Sequence, residues 1–464
     1  MKIGRKDIFW NYTATFLKIA SSILLLPFIL RMMPPEMVGI WTVFMTITAF
    51  SVLLDFGFNS SFTRNVTYVF SGVSTLKVNG FEFVPSESQP IDFGLMKGLI
   101  AAMRWFYFRI AIVLFFLLAT LGTYYIYILL QNYKGNHQEV YIAWTLLCVI
   151  NTYNLYTLYY DSLLQGKGLI KRSKQIVIIG QTVYLIIAVI LIMKGNGLVA
   201  VVSAQASSVI IVRWLSYNSF FTREIKQKLY TSVLRPEKEI IKAIYPNALK
   251  IGLTIIGGFM VQRSAIIIGS LYLSLEEIAS YGITMQLIYV IAGLAGIYTA
   301  TYKPKIVQLR VENNKTIIKE LYLKGQIILF LTFICGGTTL LLFGERVLKF
   351  IGSQTHLMPL FLILAAIIVM FLESNHSIAG EILLSKNEVP FFKASLLSGG
   401  ATIILLLLFF QFTNLSLWAM IAAPGIAQGV YQNWKWPVVV KNELKIKQGD
   451  VSKAIMQIRN SVYH

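Results

Sequence analysis

Apolar stretches of about twenty residues recur along the whole of this chain, and they constrain its fold more than any other feature. A helix needs about 20 mostly apolar residues to cross the hydrocarbon core of a membrane. Apolar and aromatic residues make up 56% of the chain and charged residues only 13%, far from the balance of a water-soluble domain. The sequence therefore predicts an all-α integral membrane protein with many spans.

The apolar stretches predict about twelve transmembrane helices. They are placed at 8–30, 38–62, 105–130, 140–163, 175–194, 198–221, 250–271, 278–302, 325–343, 357–380, 391–412 and 416–437.

The positions of the basic residues predict that both termini lie in the cytoplasm, because cytoplasmic loops carry the excess of Lys and Arg. Of the 41 basic residues, five fall in the predicted outer loops: Arg31, Lys134, Lys194, Arg346 and Lys349. These outer loops are short, so no large extracytoplasmic domain is expected.

An even number of spans in each half predicts two lobes that face the same way around a central cavity. We expect a six-helix lobe over 1–222, a cytoplasmic linker over 223–249, a second six-helix lobe over 250–437 and a basic cytoplasmic tail over 438–464. The stretch from Ser71 to Lys97 contains Asn79-Gly80 and predicts a small cytoplasmic hairpin, either a solvated insertion or a gate.

Several classes of protein are disfavoured by the sequence. The chain has a net charge of +20, but its basic residues lie between the apolar spans, as expected for cytoplasmic loops. The charge therefore does not indicate nucleic-acid binding. Neither a phosphate-binding glycine loop followed by Lys nor a metal-binding His or Asp spacing occurs. The two cysteines, Cys148 and Cys335, lie in apolar runs. We therefore predict a protein that is not an enzyme and has no metal or cofactor.

Five charged residues within the predicted spans are the candidate functional groups. A charge near the bilayer centre costs about 2.5–3.5 kcal/mol, so such residues face a cavity or a partner. At about 1.5 Å per helical residue, all five lie in the inner half or near the midplane. Lys18, Arg213 and Arg263 are predicted to bind an anionic substrate, and Asp55 and Glu373 to carry a coupling ion or to pair with the bases.

The same charges have an alternative explanation as structural ion pairs, Lys18 with Asp55 and Arg213 or Arg263 with Glu373. Two acids cannot neutralise three bases, which favours a net-positive cavity. Diphosphate suits such a cavity, because guanidinium groups bind phosphate oxygens in pairs. The carboxylates could titrate a proton or bind sodium. Gln205, Gln262 and Gln286 could bind sugar hydroxyls or bond across helices.

Short motifs distributed along the chain resemble the polysaccharide-transporter family. The opening resembles it at Leu26–Arg31, Pro35–Trp41, Leu53–Phe58 and Arg64. Further similarity lies at Leu164–Gly168, Ser280–Gly282, Phe343–Glu345 and Ile382–Glu388. This family belongs to the multidrug/oligosaccharidyl-lipid/polysaccharide flippase (MOP) superfamily and includes the Wzx-type O-antigen flippases.

The resemblance implies a flippase that moves undecaprenyl-diphosphate-linked oligosaccharide across the bacterial inner membrane by alternating access, coupled to H⁺ or Na⁺. Its expected partners are the lipid-linked substrate, membrane lipid and other polysaccharide-assembly proteins. The chain departs from the family at Gln262-Arg263-Ser264, where members often have an acid. A coupling role of that acid is therefore not carried over to these three positions.

Two other functions remain open from the sequence. One is a multidrug or organic-cation exporter of the same superfamily, which a net-positive cavity would disfavour. The other is a membrane-embedded polysaccharide polymerase or ligase, which the short outer loops disfavour.

Overall fold

The computed structural model describes residues 10, 13, 17, 21, 24–70, 72, 91–234, 237–311, 314–386, 389–447, 449–450 and 452. Every regular element in these ranges is a helix. Residues 24–32 lie in α1. The others are α2 (Pro35–Leu53), α3 (Phe58–Phe70), α4 (Phe93–Leu117), α5 (Thr123–Leu129), α6 (His137–Tyr156), α7 (Tyr159–Gly166), α8 (Ile170–Met193), α9 (Gly197–Phe220), α10 (Arg223–Thr231), α11 (Glu237–Gly269), α12 (Leu275–Val311), α13 (Lys315–Phe350), α14 (Leu360–Leu384), α15 (Phe392–Phe412), α16 (Leu417–Gly429) and α17 (Gln432–Glu443).

Nine helical segments within the described residues are long and apolar enough to cross a membrane, so the chain is a multi-pass membrane protein. The predicted all-α membrane fold is therefore confirmed. About half of the first predicted span, 8–30, falls outside the described residues. The fourth and twelfth are each formed by two shorter helices, α6 with α7 and α16 with α17. The total of twelve and the orientation stay predictions.

The second predicted span, 38–62, is not continuous, contrary to the sequence-based expectation. Helix α2 ends at Leu53 and α3 begins at Phe58, with a turn between them. Phe56 and Gly57 have φ angles of 47° and 72°, which cannot continue a right-handed helix. Gly57 adopts this conformation without the steric penalty of a Cβ atom. The apolar pattern runs through this break, which is why the pattern alone did not reveal it.

Helix α4 begins twelve residues before the predicted third span, at Phe93 rather than residue 105. The Asp92 side chain accepts a hydrogen bond from the Leu95 N–H at 2.8 Å and caps the helix. One π-helical turn, Leu118–Gly122, then joins α4 to α5. The result is a continuous helical rod from Phe93 to Leu129, whose first turns lie outside the apolar run.

The chain divides into two compact units. Unit 1 comprises Met1–Met37 and Val43–Ile255, and unit 2 comprises Val38–Thr42 and Ile256–His464. Within unit 1 the large buried side chains include Trp144, Tyr107 and Tyr159. The predicted lobe bounds at 222 and 250 stay predictions. Within the predicted linker 223–249, α10 and the start of α11 are helical.

Two predicted features fall on residues that the structure does not describe. One is the hairpin between Ser71 and Lys97, of which residues 71 and 73–90 lie outside the described ranges. The other is Lys18, the first of the candidate substrate-binding residues.

Helices α3 and α7 approach closely at Gly166. A Cβ atom at this position would lie 2.5 Å from Val66 Cβ and 2.7 Å from the carbonyl oxygen of Thr63. These distances are shorter than real Cβ contacts, so the two helices must separate to admit even a methyl group.

We expect Gly166→Ala to destabilise unit 1 by about 1–3 kcal/mol, because the added methyl group overpacks the contact between α3 and α7. Gly258→Ala is the matched control, since a Cβ there meets nothing within 4 Å. Thermal unfolding of the purified protein in detergent measures both. Equal melting temperatures for the two variants would contradict the close approach.

Candidate functional site

Asp55 lies in the turn between α2 and α3 and is buried. Its carboxylate oxygens accept hydrogen bonds from the Asn59 N–H at 3.0 and 3.1 Å, near the beginning of α3. The Tyr107 hydroxyl, on α4, donates to the same carboxylate at 2.5 Å. A carboxylate at a helix N-terminus satisfies free N–H groups and interacts favourably with the helix dipole. Asp55, which lies within the break in the second predicted span, thus stabilises that break.

Arg213, on α9, is only 5% exposed and has polar partners on two sides within unit 1. Its Nη1 atom lies 2.9 Å from Asp161 Oδ2. Its Nε and Nη2 atoms donate to Asn154 Oδ1 at 3.2 and 2.7 Å. Arg213 therefore pairs with Asp161 and not with Glu373, the acid considered for Arg213 or Arg263 in the alternative explanation from the sequence.

A second break positions the two partners of Arg213. Asn154 lies near the end of α6 and Asp161 near the start of α7, on either side of Thr157 and Leu158. The Thr157 hydroxyl donates to the Tyr153 carbonyl at 2.7 Å, a back-bond that often bends helices. Because the helix is interrupted here, both polar side chains reach the same guanidinium group.

In unit 2, Glu373 on α14 lines a cavity of about 230 Å³. Its carboxylate accepts hydrogen bonds from Gln428 Nε2 at 2.8 Å and, more weakly, from Gln262 Nε2 at 3.4 Å. Gln428 in turn accepts from Gln432 at 2.9 Å, and Gln432 from Trp436 at 3.0 Å. Glu373 is thus the end of a hydrogen-bonded chain of neutral side chains along α16 and α17.

Arg263, on α11, is half-buried and lies over the ring of Tyr289, with its guanidinium carbon 5.0 Å from the ring centroid. Tyr289 itself lines the cavity that contains Glu373, as does Gln262. Within the described part of the chain, no carboxylate lies within ion-pair distance of Arg263. A cation over an aromatic ring gains from about 0.5 kcal/mol when exposed to about 2 kcal/mol or more when desolvated, and it keeps its charge.

The structure therefore brings the predicted site residues into two groups. Asp55 and Arg213 lie in unit 1, each with a neutral or acidic partner. In unit 2, Glu373 lines a cavity, and Arg263 contacts Tyr289, which lines the same cavity. The sequence did not identify Tyr107, Asn154 or Gln428 as partners. Among the supporting residues, Gln262 was singled out because it is polar within an apolar run. In the described ranges, no group of three potential metal ligands occurs.

No protein-family model matches this sequence. Nor does any curated protein sequence match it.

Solved structures of transporters do resemble this chain. The lipid II flippase MurJ in an inward closed conformation aligns over 97% of this chain and 89% of its own, with a TM-score of 0.62 and 13% identity. An inward-facing multidrug resistance MATE family transporter aligns over 93% and 94%, with a TM-score of 0.64 and 16% identity. A MOP superfamily transporter from Pyrococcus furiosus aligns over 95% and 96%, with a TM-score of 0.56 and 17% identity.

The fold of this chain is thus similar to the folds of the MurJ flippase and of the MATE family transporter. The all-helical membrane fold expected from the sequence is confirmed by these structural similarities. The three structures named above are those of transporters.

We expect Asp161→Leu to destabilise the protein by about 3–5 kcal/mol, because it leaves Arg213 buried without its counter-ion. The double variant Asp161→Leu/Arg213→Met should recover much of this loss, since it removes both charges. The melting temperatures of the unmodified protein, the single variants and the double variant, measured by thermal unfolding in detergent, test this expectation. Glu224→Gln breaks an exposed ion pair with Lys228 and should leave the melting temperature unchanged. Additive effects of the two substitutions would contradict the ion pair.

Proposed function

We propose that this protein is a flippase of the bacterial inner membrane that moves undecaprenyl-diphosphate-linked oligosaccharide repeat units from the cytoplasmic to the periplasmic leaflet. The proposed mechanism is alternating access of the two lobes around a central cavity, coupled to H⁺ or Na⁺. The proposed partners are the lipid-linked substrate, membrane lipid and other proteins of polysaccharide assembly.

The observation that carries this proposal is the environment of Arg263. Its guanidinium group lies within an apolar segment, Gly252–Gly269, and stacks on a neutral ring rather than on a carboxylate. A positive charge held in such a place at a cost of about 2.5–3.5 kcal/mol favours an anionic ligand. The paired phosphate oxygens of a diphosphate match the planar fork of donors that a guanidinium group presents.

The three basic residues differ in what they can offer to a substrate. Arg213 already has Asp161 and Asn154, so a phosphate must displace one of them before it binds there. Arg263 has no such competitor among the described residues. Lys18 lies outside the described ranges. We therefore propose Arg263 as the principal phosphate-binding residue, while Arg213 and Lys18 remain candidate substrate-binding residues.

Glu373 is the better placed of the two candidate coupling residues. It lines a cavity, and its partners Gln428 and Gln262 are neutral amides that can rearrange when a proton or sodium ion arrives. The Asp55 carboxylate accepts hydrogen bonds from the Asn59 N–H and the Tyr107 hydroxyl. These hydrogen bonds favour a structural role for Asp55 at the start of α3. We therefore propose Glu373 as the principal coupling residue, and Asp55 remains a second candidate.

Export of an organic cation is the second candidate function, and one observation favours it. Glu373 and Tyr289 line the same cavity, and a carboxylate beside an aromatic ring suits a cationic ligand. The similarity to MATE structures is as strong as that to MurJ. Arg263 opposes this reading, because its charge would repel such a ligand.

We expect Arg263→Gln to reduce translocation of a diphosphate-linked polyprenyl oligosaccharide by at least about tenfold, because one charge-assisted phosphate contact is worth roughly 1.5–3 kcal/mol. The assay uses purified protein in liposomes and measures the sugar that becomes accessible to an external enzyme. Arg346→Gln is the control, since it removes the same charge from a predicted outer loop.

Unchanged translocation in Arg263→Gln would contradict the phosphate assignment. Transport of a cationic dye by the unmodified protein, together with no movement of the lipid-linked sugar, would favour the exporter instead.

We expect Glu373→Gln to abolish the dependence of transport on an imposed H⁺ or Na⁺ gradient, because an amide cannot exchange a proton or neutralise a cation. Movement of substrate down its own gradient should persist. Transport in liposomes with and without each ion gradient measures the difference. Asp55→Asn serves as the comparison, and gradient dependence lost there but kept in Glu373→Gln would reverse the assignment.

A further inference from the structure

A cleft of about 730 Å³ lies within unit 1, and the residues proposed for transport are not among the described residues that line it. Helices α4, α6, α9 and α10 all contribute to its lining. Three basic residues, Lys97, Arg104 and Lys226, line it together with aromatic side chains that include Trp105, Phe108 and Tyr217. No acidic side chain is among the described residues that line this cleft. The cleft thus combines positive charge with aromatic walls.

The basic side chains keep donors for a ligand. Lys97 Nζ donates to the Ser232 carbonyl at 2.9 Å, which uses one of its three N–H groups. Arg104 Nε donates to the Tyr159 hydroxyl at 3.3 Å, which uses one of its five N–H groups. Lys226 Nζ lies 5.0 Å from the centroid of the Tyr217 ring and keeps its charge. An anion that enters the cleft therefore meets several charged donors.

The one acid of α10 is directed elsewhere. Glu224 forms an ion pair with Lys228 at 2.6 Å. The hydrogen bond and the charge of Lys228 lower the pKa of the Glu224 carboxyl, so it stays ionised at neutral pH. This pairing uses Lys228 rather than the three basic residues of the cleft.

The apolar surface beside the cleft continues along one face of α4. Phe108 lines the cleft, and Ile112 and Phe116 follow it at intervals of four residues, which places all three on the same side of the helix. All three are exposed to the surroundings of the protein, Phe116 by 61%. A ligand with a charged head and a long apolar tail fits this sequence of surfaces.

The amphipathic helix α10 and the residues after it add a second apolar surface. Tyr230 and Val233 are 87% and 86% exposed, and Leu234 is also exposed. Arg223, Lys226 and Lys228 are exposed on the same short helix. A basic helix with exposed apolar side chains is typical of a segment that lies in the headgroup region of a membrane. In the predicted orientation this is the cytoplasmic leaflet, where anionic lipids attract basic segments.

We infer that the cleft between α4, α9 and α10 is a binding site for an anionic membrane phospholipid. Its phosphate headgroup contacts Lys97, Arg104 and Lys226, and one acyl chain lies along Phe108, Ile112 and Phe116. The ligand stays in its leaflet and is not transported. The inference does not depend on the substrate of the transporter, because it concerns a surface of unit 1 alone.

Trp105 lines the cleft and provides a direct test, because brominated acyl chains quench a tryptophan that they contact. The purified protein is reconstituted with brominated phosphatidylglycerol or with brominated phosphatidylcholine, and tryptophan emission is measured. We expect stronger quenching by the anionic lipid, and the difference should disappear in Trp105→Phe. Equal quenching by the two lipids in the unmodified protein would overturn the inference.

The triple variant Lys97→Gln/Arg104→Gln/Lys226→Gln tests the headgroup contacts. Each basic side chain near an anionic surface is worth about fivefold in affinity, so we expect the preference for phosphatidylglycerol to fall by at least about tenfold. The control Lys315→Gln/Lys441→Gln/Lys445→Gln removes the same charge from exposed positions in unit 2 and should keep the preference. An unchanged preference in the first variant would contradict the site.

A further arm separates a lipid site from a site for a soluble anion. Inorganic phosphate and glycerol phosphate are added to the unmodified protein at millimolar concentration. We expect the preference for phosphatidylglycerol to persist, because the acyl chain contributes to binding. Its loss at these concentrations would assign the cleft to a soluble phosphate compound and overturn the lipid assignment.

Discussion

The scarcity of water inside a membrane is the constraint on which the rest of this structure depends. A polar group buried without a partner costs several kcal/mol there, so each interruption of a helix needs its own compensation. The turn after α2 illustrates this, because Asp55 receives the Asn59 N–H and the Tyr107 hydroxyl. The chain can therefore break a span only where its own side chains satisfy the groups that the break exposes.

The two units treat buried charge differently under the same constraint. In unit 1 the guanidinium group of Arg213 forms an ion pair with Asp161 and hydrogen bonds with Asn154. These contacts link α9 to α7 and α6. In unit 2 the guanidinium group of Arg263 rests on Tyr289 and keeps its charge available. A matched charge stabilises a fold, whereas an unmatched one beside a cavity is suited to a ligand.

Prediction from the sequence succeeded where a local property decided the outcome. The helical, membrane-spanning fold follows from runs of apolar residues, because length and hydrophobicity are properties of one segment. The charged candidates were found for the same reason, since a charge in an apolar run is visible without any neighbour. The partners of those charges were not found, because Tyr107 and Asn154 lie 52 and 59 residues from the side chains they contact. Gln428, 55 residues from Glu373, was missed for the same reason.

The sequence by itself determined that this is a multi-pass helical membrane protein and which of its residues carry charge into the apolar spans. Short motifs placed in order along the chain also resemble those of the polysaccharide-transporter family. Only the tertiary structure decided which charges are neutralised and where the spans break. The physical reason is that an ion pair, a helix cap or a cavity forms between segments distant in sequence. Hydropathy reports how each segment meets lipid but not which segments meet each other.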